Sequence, residues 1–216
     1  MSLATLPAID RLPVDETFAE PASDAAIERT AAALRAHNFE VEVVDDGDAA
    51  REFVLSRIPK GAEVHGGASV TIDSIGLSGV LEGSGDYAPL RPTLRSMDRR
   101  TQGDAIRKLG AAPDHFVNSV QAVTEDGKLV GASFGGSQLG PIASSAGHVY
   151  LVVGSQKIVP DLETALRRIE TYSYPLEDVR LQEAYGMRSA INKILIVNGE
   201  FAPRTTVIIV REPVGN

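Results

Sequence analysis

The sequence predicts a three-layer α/β fold, a mixed sheet flanked by helices, and three observations lead to it. Segments with helical periodicity alternate with short β-prone runs along the chain. His148 to Val153 is a continuous apolar run, the pattern of a strand buried on both faces. Glu125-Asp126-Gly127-Lys128 sits between two extended segments, and Asp-Gly there signals a hairpin, so one pair of strands is antiparallel.

Taken in order, residues 1–22 are polar and punctuated by Pro7, Pro13 and Pro21, which reads as a loose or partner-docked arm. A single domain is expected over residues 23–212. Ile27, Ala31 and Leu34 share one face of a helix from Asp24 to His37. Phe39 to Val44 alternates as a strand does, and Asp48 to Arg57 is helical with Ala50, Phe53 and Val54 inward. Ala62 to His65 is a short strand leading to a glycine turn, and Val70 to Leu81 is apolar on several sides, as in a buried helix. Gly83, Gly85, Pro89 and Pro92 break the pattern over residues 82–100, where Arg91, Arg95, Arg99 and Arg100 form a positive cluster, a solvated face or a ligand clamp. A short helix covers Gly103 to Leu109, and β segments follow at His115 to Ser119, Gln121 to Thr124 and Leu129 to Phe134. Pro160 to Ile169 carries a full apolar stripe at Leu162, Ala165, Leu166 and Ile169, with acids in its first turn and Arg167 and Arg168 in its last. Glu177 to Tyr185 is helical, and Ile194 to Val197 and Thr205 to Val210 are the last strands.

The 216 residues are 43% hydrophobic and 23% charged, ordinary globular composition. A net charge of −8 argues against a partner that is nucleic acid, which calls for a basic surface. The absence of cysteine removes disulfides, thiol catalysis and cysteine-held metal clusters from this chain. No run approaches the roughly 20 apolar residues of a membrane span, and Met1 to Phe18 lacks the layout of a secretory signal, so a cytoplasmic location is expected. His37, His65, His115 and His148 show no ligand spacing, and neither a metal nor a cofactor is expected.

The stretch from Glu63 to Leu77 concentrates the chemistry. Gly66 and Gly67 allow positive φ and close backbone approach, and Ser69 stands where a helix N-cap belongs. Free N–H groups after such a turn make an anion seat at the C-terminal end of a strand. His65, just before the turn, is either a donor to the ligand or a cap on the strand end.

The C-terminal half carries longer motifs. Asn118 to Val130 (NSVQAVTEDGKLV) resembles the signature A-(I/V)-T-E-D-G-x-L-V of the LUD domain family, proteins related to lactate-utilisation protein C. Val152 to Leu162 (VVGSQKIVPDL) is similar to that family's V-V-G-x-x-K-I-V-P-D-L. Pro175 to Arg180, Tyr185-Gly186 and Ser189 to Lys193 look like the tail of a common single-domain branch, and Gly66 to Thr71 matches the family's glycine turn. The resemblance covers roughly residues 24–212. It implies a fold similar to ribose-5-phosphate isomerase, glucosamine-6-phosphate deaminase and the CoA transferases, with a pocket lined by Gly66, Gly67, Ala68, Ser69 and Thr71. It also implies the accessory component of L-lactate utilisation, acting beside iron–sulfur proteins of lactate oxidation. Many members carry N-x-D-G-x-G-N-R after the signature strand. Residues 131–138 here read GASFGGSQ, so Gln138 is a neutral replacement for an arginine.

A small anionic metabolite is therefore the expected ligand, with Lys157 and Lys193 as anion-binding candidates and Ser137 and Gln138 after Gly135-Gly136 as a second backbone nest. Surface lysine is the competing reading for both lysines. Glu125 is a candidate general base, as for a sugar-phosphate isomerase or a transferase, or else simply a turn residue beside Asp126. A scaffold that docks a partner through the arm and the Arg91–Arg100 segment is the third reading, and it leaves a homo-oligomer open.

Overall fold

The computed structural model describes residues 10–216. Along the chain they form α1 (Asp24–Ala36), β1 (Glu40–Val44), α2 (Gly47–Arg57), β2 (Glu63–Gly66), α3 (Val70–Ser74), α4 (Leu77–Gly83), β3 (Ala88–Pro89), α5 (Leu90–Ser96) and α6 (Gly103–Ala111). There follow β4 (His115–Asn118), β5 (Ala122–Thr124), β6 (Leu129–Ser133), β7 (His148–Gly154), β8 (Ile158–Val159), α7 (Leu162–Arg168), α8 (Tyr174–Tyr185), β9 (Lys193–Val197) and β10 (Thr205–Val210).

The strands make two sheets. Six of them, in the order β1-β10-β7-β4-β2-β3, are all parallel. Alternation along each strand feeds two cores. Val149, Leu151 and Val153 of β7 and Val207 and Ile209 of β10 pack with Ile27, Ala31 and Leu34 of α1 on one face. Tyr150, Val152, Ile208 and Val210 pack with Ala50, Val54, Leu77 and Leu81 on the other. The fold is thus α/β, a parallel sheet flanked by helices.

The antiparallel hairpin does not join that sheet. β5 and β6 form a second sheet in the order β8-β5-β6-β9, its antiparallel pairs being β5–β6 and β6–β9. The reason is that both faces of this smaller sheet find cover. Val123 and Leu129 lie in the α1 core, whereas Ala122 and Val130 pack with Ala165, Ile169 and Tyr172.

Helix boundaries differ where backbone geometry intervenes. The segment expected to be one helix from Val70 to Leu81 is two, because Gly76 takes φ +71° between them. The break predicted before Glu177 is absent. A π turn over Ile169–Ser173 joins α7 to α8 without interruption, and Pro175 sits at the start of α8, where its missing N–H costs nothing. Residues 10–22 do not hang loose. Phe18 is buried among Val130, Val159 and Tyr172, and the Asp15 N–H donates to Thr171 O at 2.9 Å. The remainder of the expected arm, residues 1–9, lies outside the described residues.

Candidate functional site

After β2 the chain moves outward to β3, whereas after β4 it leaves for the second sheet and re-enters on the other side, at β7. The connections leave these adjacent strands in opposite directions, and a crevice opens outside their carboxyl ends, the place where open parallel sheets hold ligands. Here it is a cavity of about 600 Å³. One wall is the loop after β2, with Ala68, Ser69 and Thr71, and the floor is Asn118, Ser119 and Lys157. The second sheet adds Ser137 and Gln138, and the helical side adds Ile169, Ser173, Tyr174, Glu177 and Arg180. The π turn carries Ile169 and Ser173, both of which line the cavity.

Lys157 dominates the electrostatics. It sits on a short 3₁₀ turn at the end of β7 and is 1% exposed. Its Nζ donates to Thr71 Oγ1 at 2.8 Å and Ser119 Oγ at 3.1 Å. Among the described residues no carboxylate pairs with it. Burial, and then the nearby Arg168 charge, push its pKa well below the lysine value of 10.5. Arg168 is itself fully buried, donating to Gln156 O, Gln121 O and Ser173 Oγ, and burial lowers its pKa to about 10. Two buried basic groups thus lie together, and among the described residues no acid pairs with either. At the wall, Arg180 is held by Glu177 in a two-pronged pair at 2.6 and 2.7 Å.

The remaining sequence candidates divide. Ala68, Ser69, Thr71, Ser137, Gln138 and Lys157 line the cavity. Gly66 and Gly67 do not line it, and neither takes positive φ. What these two positions require is space: a Cβ at Gly66 would meet Val117 O at 2.8 Å, and one at Gly67 would meet Asn118 Nδ2 at 2.8 Å. The turn leads into a short helix start at the cavity. α3 has only five residues, and the Ser69 hydroxyl already accepts from Ile72 N. Both ends of the Gln138 amide hold its own turn, accepting from Ser133 Oγ at 3.0 Å and donating to Ala132 O at 3.3 Å. Lys193 lies outside the cavity wall, with its exposed stem over Gly136.

Glu125 is also elsewhere. The hairpin tip docks on α1, where Glu125 pairs with Arg29 at 2.7 Å and Gly127 O meets His37 Nδ1. Glu125 is not among the residues that line the cavity. His65 is buried against Phe116, off the cavity, with Nδ1 unpartnered. Arg91 and Arg95 are tied to Glu82, but Arg99 of the same cluster reaches the cavity. Asn118, Ser119, Arg168 and Arg180 were missed as site residues. Asn118, Ser119 and Arg180 lie within the recognised motifs and Arg168 between two of them, but their convergence is a tertiary fact.

Among the described residues no helix is long and apolar enough to cross a membrane. None of the curated proteins matches this sequence. Among solved structures, a duf162 family protein from Deinococcus radiodurans is similar at a TM-score of 0.55 and 11% identity, covering 88% of this chain and 99% of that one. Its likeness is one of fold. Ribose 5-phosphate isomerase from Plasmodium falciparum aligns at a TM-score of 0.34 and 13% identity over 73% of this chain and 79% of that one. The LUD domain model matches residues 27–210, which takes in both sheets and every wall of the cavity except Asn216, and the chain belongs to the LUD domain family.

Proposed function

We propose that the cavity binds a small anionic metabolite and that the protein is a ligand-binding, accessory member of organic-acid utilisation. The observation that carries this is Lys157, a buried amine on the cavity floor with hydroxyl partners and no acid, backed by a second buried cation. Burying cationic groups without counter-charge costs several kcal/mol, and an incoming anion offsets that cost. The family's tie to L-lactate makes short hydroxy and oxo acids the first class to test, with iron–sulfur oxidation proteins as the partners. The volume, about 600 Å³, is of the size that holds drug-like ligands, so a three-carbon acid would share it with water or with a larger body attached to the anionic head.

This reading is preferred to an isomerase because Glu125 pairs with Arg29 away from the cavity lining, and to a scaffold docking through the arm and the Arg91–Arg100 segment because Phe18 of the arm packs into this chain's own core and Arg91 and Arg95 are tied to Glu82. The test is a thermal-shift panel of lactate, pyruvate, sugar phosphates, nucleotides and CoA on wild type and Lys157→Met. A ligand that binds the native state raises Tm once its concentration exceeds Kd. A rise in wild type that is lost in the variant is the expected result, and no rise with any anion would overturn the proposal.

A further inference from the structure

Lys157 is poorly placed for simple charge attraction. A lysine that serves only to draw in anions keeps its ammonium hydrated at a pocket mouth, whereas this one is withdrawn to the floor and 1% exposed. Its neighbours are two hydroxyls, each able to donate to a neutral nitrogen or accept from a protonated one. Arg168 of α7 lies behind it, and the charged side chains that line the same cavity are Arg99 from the α5–α6 loop and the Glu177–Arg180 pair on α8. No carboxylate fixes a proton on Nζ. Burial beside two hydroxyls opposes the ammonium form, so an arriving carbonyl meets an amine that gives up its proton readily and exposes its lone pair, the form in which lysine is a nucleophile.

We propose that Lys157 captures the carbonyl group of an anionic aldehyde or keto compound as a reversible imine, an inference that rests on the ligand cavity proposed above. The Nζ lone pair forms the C–N bond as the carbonyl π electrons move to oxygen. That oxygen takes one proton from nitrogen through the Thr71 or Ser119 hydroxyl, giving a carbinolamine. The second N–H proton leaves with the hydroxyl as water, and the C=N bond remains. Hydrolysis runs the same steps backwards, so no oxidant, reductant or second substrate is consumed. Arg99 offers a cation on the wall for the ligand's anionic group.

The experiment incubates the full-length protein near pH 7 with pyruvate or pyridoxal 5′-phosphate, with and without cyanoborohydride, and maps the labelled peptides. At that pH an ordinary lysine, with a pKa of about 10.4, is protonated and slow. The chain has five lysines, so every position can be read: Lys60, Lys108, Lys128, Lys157 and Lys193. Label fixed on Lys157 and absent from the other four is the expected result. A thermal shift by either probe without label on Lys157 overturns the imine and leaves the anion site standing. Neither shift nor label overturns both. The decisive comparison is among the lysines of the wild-type protein, so it holds even if Lys157→Met fails to fold.

Discussion

At the scale of single residues, the two buried cations divide the labour. Arg168 is framework: its guanidinium ties Gln156 O, Gln121 O and Ser173 Oγ together and lies 4.9 Å from the centre of the Tyr172 ring. Each buried acceptor left unpaired costs about 1–3 kcal/mol, so Arg168→Leu should lower the urea midpoint by an amount equivalent to several kcal/mol. Lys157 has the opposite expectation. Lys157→Met keeps the length, removes a buried ionisable group, and should leave the ligand-free protein as stable or more so, the mark of a residue kept for function. Its pH dependence has a definite sign. The folded pKa lies below the unfolded 10.5, so between the two values the unfolded chain holds a proton that the native protein lacks. Stability from this group therefore rises with pH across that window and is lowest below it. The Tm of wild type relative to Lys157→Met should climb as pH rises towards 10.5, and a flat difference would contradict it.

Elements show what local pattern can and cannot specify. The Asp-Gly hairpin is real, with Gly127 at φ +84° and its N–H donating to Thr124 O at 2.8 Å. The β7 and β10 runs are the buried strands that their composition suggests. Alternation, however, fixes faces and not partners, so nothing in residues 121–134 distinguishes a hairpin inside the main sheet from one in a second sheet. The π turn is illegible for a related reason: the apolar stripe of α7 continues through Ile169, and only packing against the cavity decides where the spiral widens. Of the site, the glycine loop and Lys157 were readable as motif positions, whereas the pairing of Glu125 with Arg29 depends on α1 lying under the hairpin tip. Gly66 is the glycine whose role can be checked most directly. Gly66→Ala drives a Cβ against Val117 O of the neighbouring strand, and a loss of roughly 1–3 kcal/mol in chemical denaturation is expected, with the β2–β4 register at the cavity floor disturbed.

Taken whole, the molecule is two sheets locked by shared cores, and the N-terminal segment is one of the clasps. Phe18 fills the outer face of the smaller sheet and Arg188 bridges Asp10 and Asp178. Phe18→Ala should cost about 3 kcal/mol and loosen the α7–α8 side first, which hydrogen exchange would localise. The larger sheet closes differently. β1, at its edge, is hydrogen-bonded to β10 alone, pairing Glu40 with Thr206 and Val44 with Val210. During synthesis the ribosome must therefore pass residue 210 before β1 acquires its strand partner. Until then, α1 and β1 emerge as an orphaned unit, and its valines are the surface that a nascent-chain chaperone would meet.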